Sequence, residues 1–326
     1  MDIIQKLEEA KLTGRGGASF PTAKKWALIK AIQSEKKYIV CNGAEGEPGV
    51  MKDGYLLEHH PDIVIEGIII ALQTFENSEA FLYLNHDYFD RFHEKLEKLI
   101  GKKPITLWRK RGKYLGGEET VLCEVIENKF PSPRHRPPYP AQAGIWGFPT
   151  LINNVETFYD VAKIARGEYH RTRWYSVSGF IPNPGVFELP EYLTIAQVLR
   201  QTKNMDAQLP PSHFVQAGGG ASGEILLPTE LDRPVPGGGA ILVYDKNEIS
   251  PTTLMKQWVD FYLQANCDKC VPCREGVFRL KEMLDKNAFD MKTADDLFFA
   301  MENASFCGLG QGIPLPFRSL LEKVKV

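Results

Sequence analysis

Charge of one sign is the first thing this chain lacks. Its 326 residues carry 39 Lys and Arg against 41 Asp and Glu, a net charge of −2. That balance removes any whole-chain electrostatic case for nucleic acid or an anionic membrane surface. Long apolar runs are missing too. The longest, Ile63 to Leu72, is broken by Glu66 and is too short to span a bilayer, so no direct membrane insertion is expected. The opening MDIIQKLEEAKL carries acids and no apolar run, so no signal peptide is expected. There is no internal repeat, heptad run or low-complexity tract. Cysteine is sparse, at 41, 123, 267, 270, 273 and 307. The last four have metal-ligand spacing, which without a secretion signal predicts a reduced compartment. The remaining composition, 43% hydrophobic and 25% charged, is that of a globular protein long enough for two or three domains.

Glycine is concentrated where chemistry is expected. The stretch GRGGASFPT (14–22) puts three glycines in four positions, where backbone amides can approach a ligand with no Cβ in the way. Arg15 brings a fork of donors that suits a phosphate, and Phe20, Lys25 and Trp26 follow. Such a loop feeding a helix is an anion cradle. A plain turn between helices 2–12 and 22–33 is the competing reading. The spacing is not that of a dinucleotide-binding G-x-G-x-x-G turn.

Residues 38–42 (YIVCN) read as a buried strand. The loop Asn42-Gly43-Ala44-Glu45-Gly46-Glu47-Pro48-Gly49 follows at its carboxyl end, where open α/β sheets bind ligands. Asn42 both donates and accepts, which suits the amide edge of a flavin or nicotinamide. Glu45 and Glu47 repel phosphate and fit a sugar hydroxyl, a carboxamide or a redox ring. A helix at 61–75, a strand at 80–84, a helix at 87–100 and a strand at 105–108 complete a doubly wound unit. Phe89, Phe92, Leu96 and Leu99 are assigned to its core. A second glycine loop, Gly112 to Thr120, carries Tyr114, Gly117, Glu118 and Glu119 and opens a helix to about Glu127; a carboxylate pair there also suits a helix start. The proline-rich stretch 131–149 cannot be helix and reads as an ordered functional loop. Helix returns over 153–166.

Residues 174–245 switch to short β-rich runs with glycine and proline turns around one helix at 195–202. This predicts a small β-grasp-like domain without a catalytic constellation. Helices at 252–265, 275–286, 293–303 and 314–324 predict a four-helix bundle. It carries Cys267-x-x-Cys270-x-x-Cys273 and, further on, Cys307. Three close thiolates plus a distant fourth is [4Fe–4S] spacing, whereas structural zinc more often uses two separated pairs. Pro272 and Arg274-Glu275-Gly276 suit a loop opening the second helix. Cys41 and Cys123 read as small buried hydrophobes. The expected domains are 1–170 (Rossmann-like α/β), 171–247 (β-grasp) and 248–326 (helical).

Taken together, GRGGASFPTAKKW, CNGAEGEPG, YLGGEET, AGIWGFPTLINNVETF and CDKCVPCREG resemble the NADH-binding flavoprotein subunit of respiratory complex I. The same subunit type occurs in NAD-linked hydrogenases, formate dehydrogenases and electron-bifurcating enzymes. The resemblance runs in one order from about Ile3 to the C-terminus. It implies FMN, a [4Fe–4S] cluster and NAD(H). Gly14, Arg15, Gly16, Gly17 and Lys25 would hold FMN or the NADH phosphates, and Phe20 would stack on the nicotinamide nucleotide. Asn42, Tyr114, Gly117, Glu118 and Glu119 would meet the flavin or nicotinamide, with Asn153 and Asn154 near the FMN phosphate. Arg136 and Tyr139 would hold the adenine end. Hydride transfer needs no general base; Glu45 lies closest to a catalytic role, with Glu47 beside it. Cys267, Cys270, Cys273 and Cys307 would hold the cluster.

The chain departs from the family pattern in places. Ala44 stands where an acid is usual, Ser19 and Ala23 where glycine is usual, and Gly116 where cysteine is common. The resemblance implies an electron-input protein oxidising NADH. The alternatives are a flavin and iron–sulfur relay that does not oxidise NADH, and a zinc scaffold. The expected partners are a thioredoxin-like [2Fe–2S] subunit and further iron–sulfur subunits, in the cytoplasm or peripheral to a membrane complex.

Overall fold

The computed structural model describes residues 2–205, 209–210 and 212–324. The chain forms two compact units, Met1–Gly46, Met51–Gly112 and Gly116–Trp174 in one, and Glu47–Val50, Lys113–Leu115 and Tyr175–Val326 in the other.

In the first unit the chain runs α1 (Ile3–Glu9), α2 (Thr22–Ala31), β1 (Lys37–Gly43), α3 (Lys52–His59), α4 (Pro61–Thr74), β2 (Ser78–Leu84), α5 (His86–Ile100), β3 (Ile105–Arg109), α6 (Glu119–Ile126), α7 (Pro140–Ala143), β4 (Thr150–Asn154) and α8 (Val155–Arg166). The sheet has the order β3-β2-β1-β4 and is parallel throughout. Central β1 is apolar and almost wholly buried, as a parallel strand covered on both faces must be. Helices α4 and α8 pack so closely that a Cβ on Gly67 would fall on the Phe158 carbonyl. Any larger residue at 67 would push these helices apart.

Three local expectations fail here. Thr150–Asn154 (TLINN) is strand β4, so Asn153 and Asn154 end a strand and do not start the helix. Its two asparagines disfavour a strand by propensity, but ladder bonds to β1 decide the matter. The proline-rich stretch does contain a helical turn, α7, because Pro140 sits at the first helical position, where no N–H is needed. On α5 the buried stripe is Phe92, Leu96 and Ile100, while Leu99 is exposed and Phe89 lies flat against His93.

Strand β5 (Thr172–Gly179) starts in the first unit and passes at Tyr175 into the second, which also holds β6 (Gly185–Pro190), α9 (Ile195–Gln201), β7 (His213–Ala217), β8 (Glu224–Leu226) and β9 (Ala240–Asp245). Its mixed sheet has the order β6-β5-β9-β7-β8. Then come α10 (Pro251–Ala265), α11 (Val271–Asp285), α12 (Met291–Ala304), α13 (Gly308–Gly312) and α14 (Pro314–Lys323). Strand alternation gives this sheet two cores. Val215 and Leu226 face α9, whereas their neighbours Phe214 and Ile225 join the core of the C-terminal helices. Sheet and helices thus share a core through Phe214, Ala221 and Ile225. The short α13 is an addition to the expected bundle. Helix α11 begins at Val271, so Pro272 and the Arg274–Gly276 stretch are helical, with proline tolerated in the first turn.

Candidate functional site

In the β3-β2-β1-β4 order the connections leave β1 in opposite directions, so a crevice opens beyond the carboxyl ends of β1 and β4. Asn42 and Asn154 are register partners across these two strand ends. The Asn42 amide donates to the Gly117 carbonyl at 2.9 Å and its oxygen accepts the Ala44 N–H at 3.1 Å. Asn154 caps α8, accepts from Lys52 Nζ at 2.8 Å and donates to Asp53 at 2.6 Å. The position of a Cβ on Gly16 lies 3.4 Å from the Asn154 Cβ. Gly16, Asn42, Gly117 and Asn154 thus lie together.

With the Asn153 amide turned to match its neighbours, its oxygen accepts the buried Trp26 indole N–H at 3.0 Å and its nitrogen donates to the Ile152 carbonyl at 3.0 Å. This sets the Asn153 side chain against Trp26.

The glycine loop also needs one correction. The Arg15 side chain is buried, with the residue 4% exposed. Its guanidinium donates to Asp160 at 3.1 Å, to the Tyr169 hydroxyl at 2.9 Å and to the Thr172 carbonyl. A guanidinium committed to a buried carboxylate is not the phosphate fork expected from sequence. What stays open is the space around Gly17, where a Cβ would meet nothing within 4 Å and φ is +113°. Just beyond, the buried Thr22 hydroxyl at the start of α2 has no partner within the protein. An anionic group at this helix start fits both observations. Ser19 adopts φ +51°, so serine keeps the left-handed backbone suited to glycine, and Phe20 projects 45% exposed. Lys25 reaches the Glu119 carboxylate at 2.8 Å and the Ile152 carbonyl at 3.0 Å.

The carboxylates divide by role. Glu118 caps α6, accepting from the Thr120 and Val121 amides, with Arg136 Nη1 3.6 Å away. One of its oxygens is thus occupied as a helix cap. Arg136 lies 5.9 Å from the ring of Tyr139, which is 53% exposed. Glu45 accepts from the Asp53 and Gly54 amides and from the Tyr88 hydroxyl. Burial, aided by nearby Asp53, lifts its carboxyl to about 7 against the pull of Lys52 and Tyr88.

Sequence reasoning missed the group beneath this loop. Lys52 is buried with Asp53 at 2.6 Å and Glu156 at 3.1 Å. Burial opposes its charge, yet Asp53, Glu156 and Glu45 outweigh that and hold its pKa raised. The available signal was a Lys-Asp pair opening a helix straight after the acidic loop.

In the second unit Tyr114 donates to Glu47 at 2.6 Å. The other Glu47 oxygen accepts from the Ala221 and Ser222 amides and the Ser222 hydroxyl. Glu47 is therefore held by a glycine-rich turn, not left free for a ribose. Tyr114 packs edge-on against Phe261, ring centroids 5.0 Å apart.

The second unit also gathers the four cysteines. Cys270 caps α11, Cys273 lies in its first turn and Cys307 precedes α13. All are free thiols. Burial, together with neighbouring Cys270, Cys307 and Cys267, pushes Cys273 up to about 12. Among the described residues no three His, Cys, Asp or Glu side chains close on one point as a single ion requires. Four thiols, one for each iron of a cube, are a soft donor set that fits an iron–sulfur cluster. Cys41 is fully buried and Cys123 donates to the Glu119 carbonyl, both apart from this set. Among the described residues no helix is long and apolar enough to cross a membrane.

Comparison with known proteins gives two family matches. Residues 7–163 match the Nuo51 FMN-binding domain. Residues 253–325 match the NADH-ubiquinone oxidoreductase-F iron-sulfur binding region. The F-type subunit of NADH-quinone oxidoreductase from Streptomyces coelicolor is 32% identical over 98% of this chain and 81% of its own length. Its counterpart in Aquifex aeolicus is 32% identical over 99% and 84%. The NAD-reducing hydrogenase HoxS subunit alpha of Cupriavidus necator is 31% identical over 98% of this chain and 59% of its own. A crystal structure of an NAD+-reducing [NiFe]-hydrogenase in the H2-reduced state superposes with a TM-score of 0.88 at 31% identity, covering 98% of this chain. This chain spans 60% of that hydrogenase chain. On these matches and on the two sites above, the chain belongs to the family of the F-type NADH-quinone oxidoreductase subunits.

Proposed function

We propose that this chain is the electron-input flavoprotein of a multi-subunit oxidoreductase, oxidising NADH and passing electrons to partner subunits. The observation that carries this reading is the convergence of Gly16, Asn42, Gly117 and Asn154 at the sheet's switch point, in a chain that also gathers four thiols. When bound, FMN supplies a centre able to take electrons as a pair and release them singly, which a nicotinamide and an iron–sulfur cluster require. The protein's part is binding and orientation. The loop around Gly17 and the Thr22 hydroxyl would receive the flavin phosphate. Asn42 and Gly117 would meet the ring edge, with Glu45 behind them. Phe20, Tyr139 and Arg136 supply exposed aromatic faces and a cation for the dinucleotide. Cys267, Cys270, Cys273 and Cys307 would each hold one iron of a [4Fe–4S] cluster. A thioredoxin-like [2Fe–2S] subunit and further iron–sulfur subunits are the proposed partners, in a cytoplasmic or membrane-peripheral complex.

The test is anaerobic addition of NADH to the purified chain. Bleaching of the flavin band, followed by the paramagnetic signal of a reduced cluster, is expected; flavin that stays oxidised defeats the reading.

One observation favours a second reading, a relay that does not oxidise NADH. Ala44, 7% exposed, packs its methyl toward Gly117 where the family pattern has an acid.

A further inference from the structure

Glu45 is held from one direction by α5, an element assigned on sequence to the core alone. The Asn85 amide donates to the Glu45 backbone carbonyl at 2.6 Å. The oxygen of the same amide caps α5 by accepting the Tyr88 N–H at 2.8 Å. One turn in, the Tyr88 hydroxyl donates to Glu45 Oε2 at 2.5 Å. The Tyr88 ring and hydroxyl lie against Gly54. A Cβ there would sit 2.6 Å from the ring and 2.7 Å from the hydroxyl. Glycine at 54 is thus required for Tyr88 to reach Glu45.

We propose that Tyr88 is a positioning residue of the flavin pocket, set by the Asn85 cap and the bare backbone of Gly54 to fix the orientation and charge of the Glu45 carboxyl. The pocket itself rests on the function proposed above; the Tyr88–Glu45 pairing does not.

The titratable groups around this carboxyl are Tyr88 from α5 and Lys52 and Asp53 from α3. Glu156 of α8 acts through Lys52, and the Cys41 thiol of β1 lies beside Lys52 and Asp53. Asp53 and burial favour the protonated acid, whereas Lys52 and the Tyr88 hydroxyl favour the carboxylate. A hydrogen bond donated to a charged group stabilises that form, so removing it raises the pKa. The Tyr88 hydroxyl is the member of this set that can be deleted without removing a charge.

The experiment is an infrared pH titration of the full chain, with Glu45→Gln subtracted to isolate the Glu45 carboxyl band. Tyr88→Phe is expected to move that titration upward by about one pH unit, the size of one charge-assisted hydrogen bond. Gly54→Ala, which displaces the ring and keeps the hydroxyl, is expected to move it the same way and serves if Tyr88→Phe does not fold. In the FMN-loaded chain the pH dependence of the flavin midpoint potential should shift with it, and Tyr88→Phe should add nothing in a Glu45→Gln background. An unmoved Glu45 titration in both variants overturns the proposal. So does a moved titration that the flavin potential ignores. A chain that binds no FMN would defeat the proposed function, while the infrared shift would still establish or refute the Tyr88 pairing.

Discussion

The Tyr114 hydroxyl donates to Glu47 at 2.6 Å, while the other Glu47 oxygen is filled by the Ala221 and Ser222 amides. A carboxylate so occupied acts as a clamp on the 218–223 turn. Close packing makes the clamp specific, since a Cβ on Gly219 would strike the Glu47 side chain. Glu47→Ala is expected to cost about 1–3 kcal/mol, because it strands the N–H of buried Ala221 and the Tyr114 hydroxyl. Chemical denaturation measures this. A variant as stable as the wild type would show that water replaces the carboxylate without loss.

Arg15 gives a sharper contrast between sequence and structure. Its Nε lies 3.1 Å from Asp160 and 4.0 Å from Glu156, with all three side chains buried. Removing one member of a buried ion pair leaves an uncompensated charge and costs about 3–5 kcal/mol. Arg15→Ala is therefore expected to lower the unfolding midpoint of the flavin-free chain substantially. Lys25→Ala, which breaks a partly exposed pair with Glu119, is expected to weaken cofactor binding with little change in that midpoint. The reverse ranking would return Arg15 to the phosphate.

The parallel sheet was legible because its strands are short apolar runs separated by amphipathic helices. Only β4 hid, since its polar residues pair with β1 in a way no local pattern encodes. The loops of the site were legible as glycine and acid clusters at strand ends. The duties of individual side chains were not. Asn153 and Asn154 are identical neighbours, yet strand alternation sends one to Trp26 and the other to Lys52 and Asp53. Arg15 and Glu47 looked like ligands because charge in a glycine-rich loop suggests one. Their partners, Asp160 and Ser222, lie far along the chain. The thiol set was readable because ligand spacing is a local feature for Cys267, Cys270 and Cys273, and Cys307 was the remaining thiol near the same helices.

Replacing any of Cys267, Cys270, Cys273 or Cys307 by Ser should lower iron and acid-labile sulfide per chain. It should also loosen the C-terminal helices, because Cys270 and Cys273 open α11 and Cys307 precedes α13. Cys123→Ala should leave iron unchanged, since that thiol is buried on α6 and bonded to the Glu119 carbonyl. Full iron in Cys307→Ser would remove that residue from the ligand set. Chelation of iron from the wild type should reproduce the loosening seen in the variants.

Ala44 decides between the two functional readings. Its N–H is fixed by the Asn42 side chain at 3.1 Å, and its methyl is nearly buried toward Gly117. An aspartate at this place would add a negative charge and two acceptors at the crevice beside Asn42. A hydrogen bond regained by a bound amide contributes on the order of 0.5–1.5 kcal/mol, which is about a two- to twelvefold gain in affinity. The same carboxylate must leave water beside Glu45 and Asp53, which works against that gain. The wild type is expected to reduce its flavin with NADH, and Ala44→Asp to do so at lower NADH concentration. Stopped-flow bleaching of the flavin across an NADH series measures both. A wild type that is inert beside an active Ala44→Asp would make this chain a relay, with Ala44 as the cause. If neither is reduced while both retain FMN and iron, the missing acid is not what separates this chain from NADH oxidation, and the dehydrogenase reading fails.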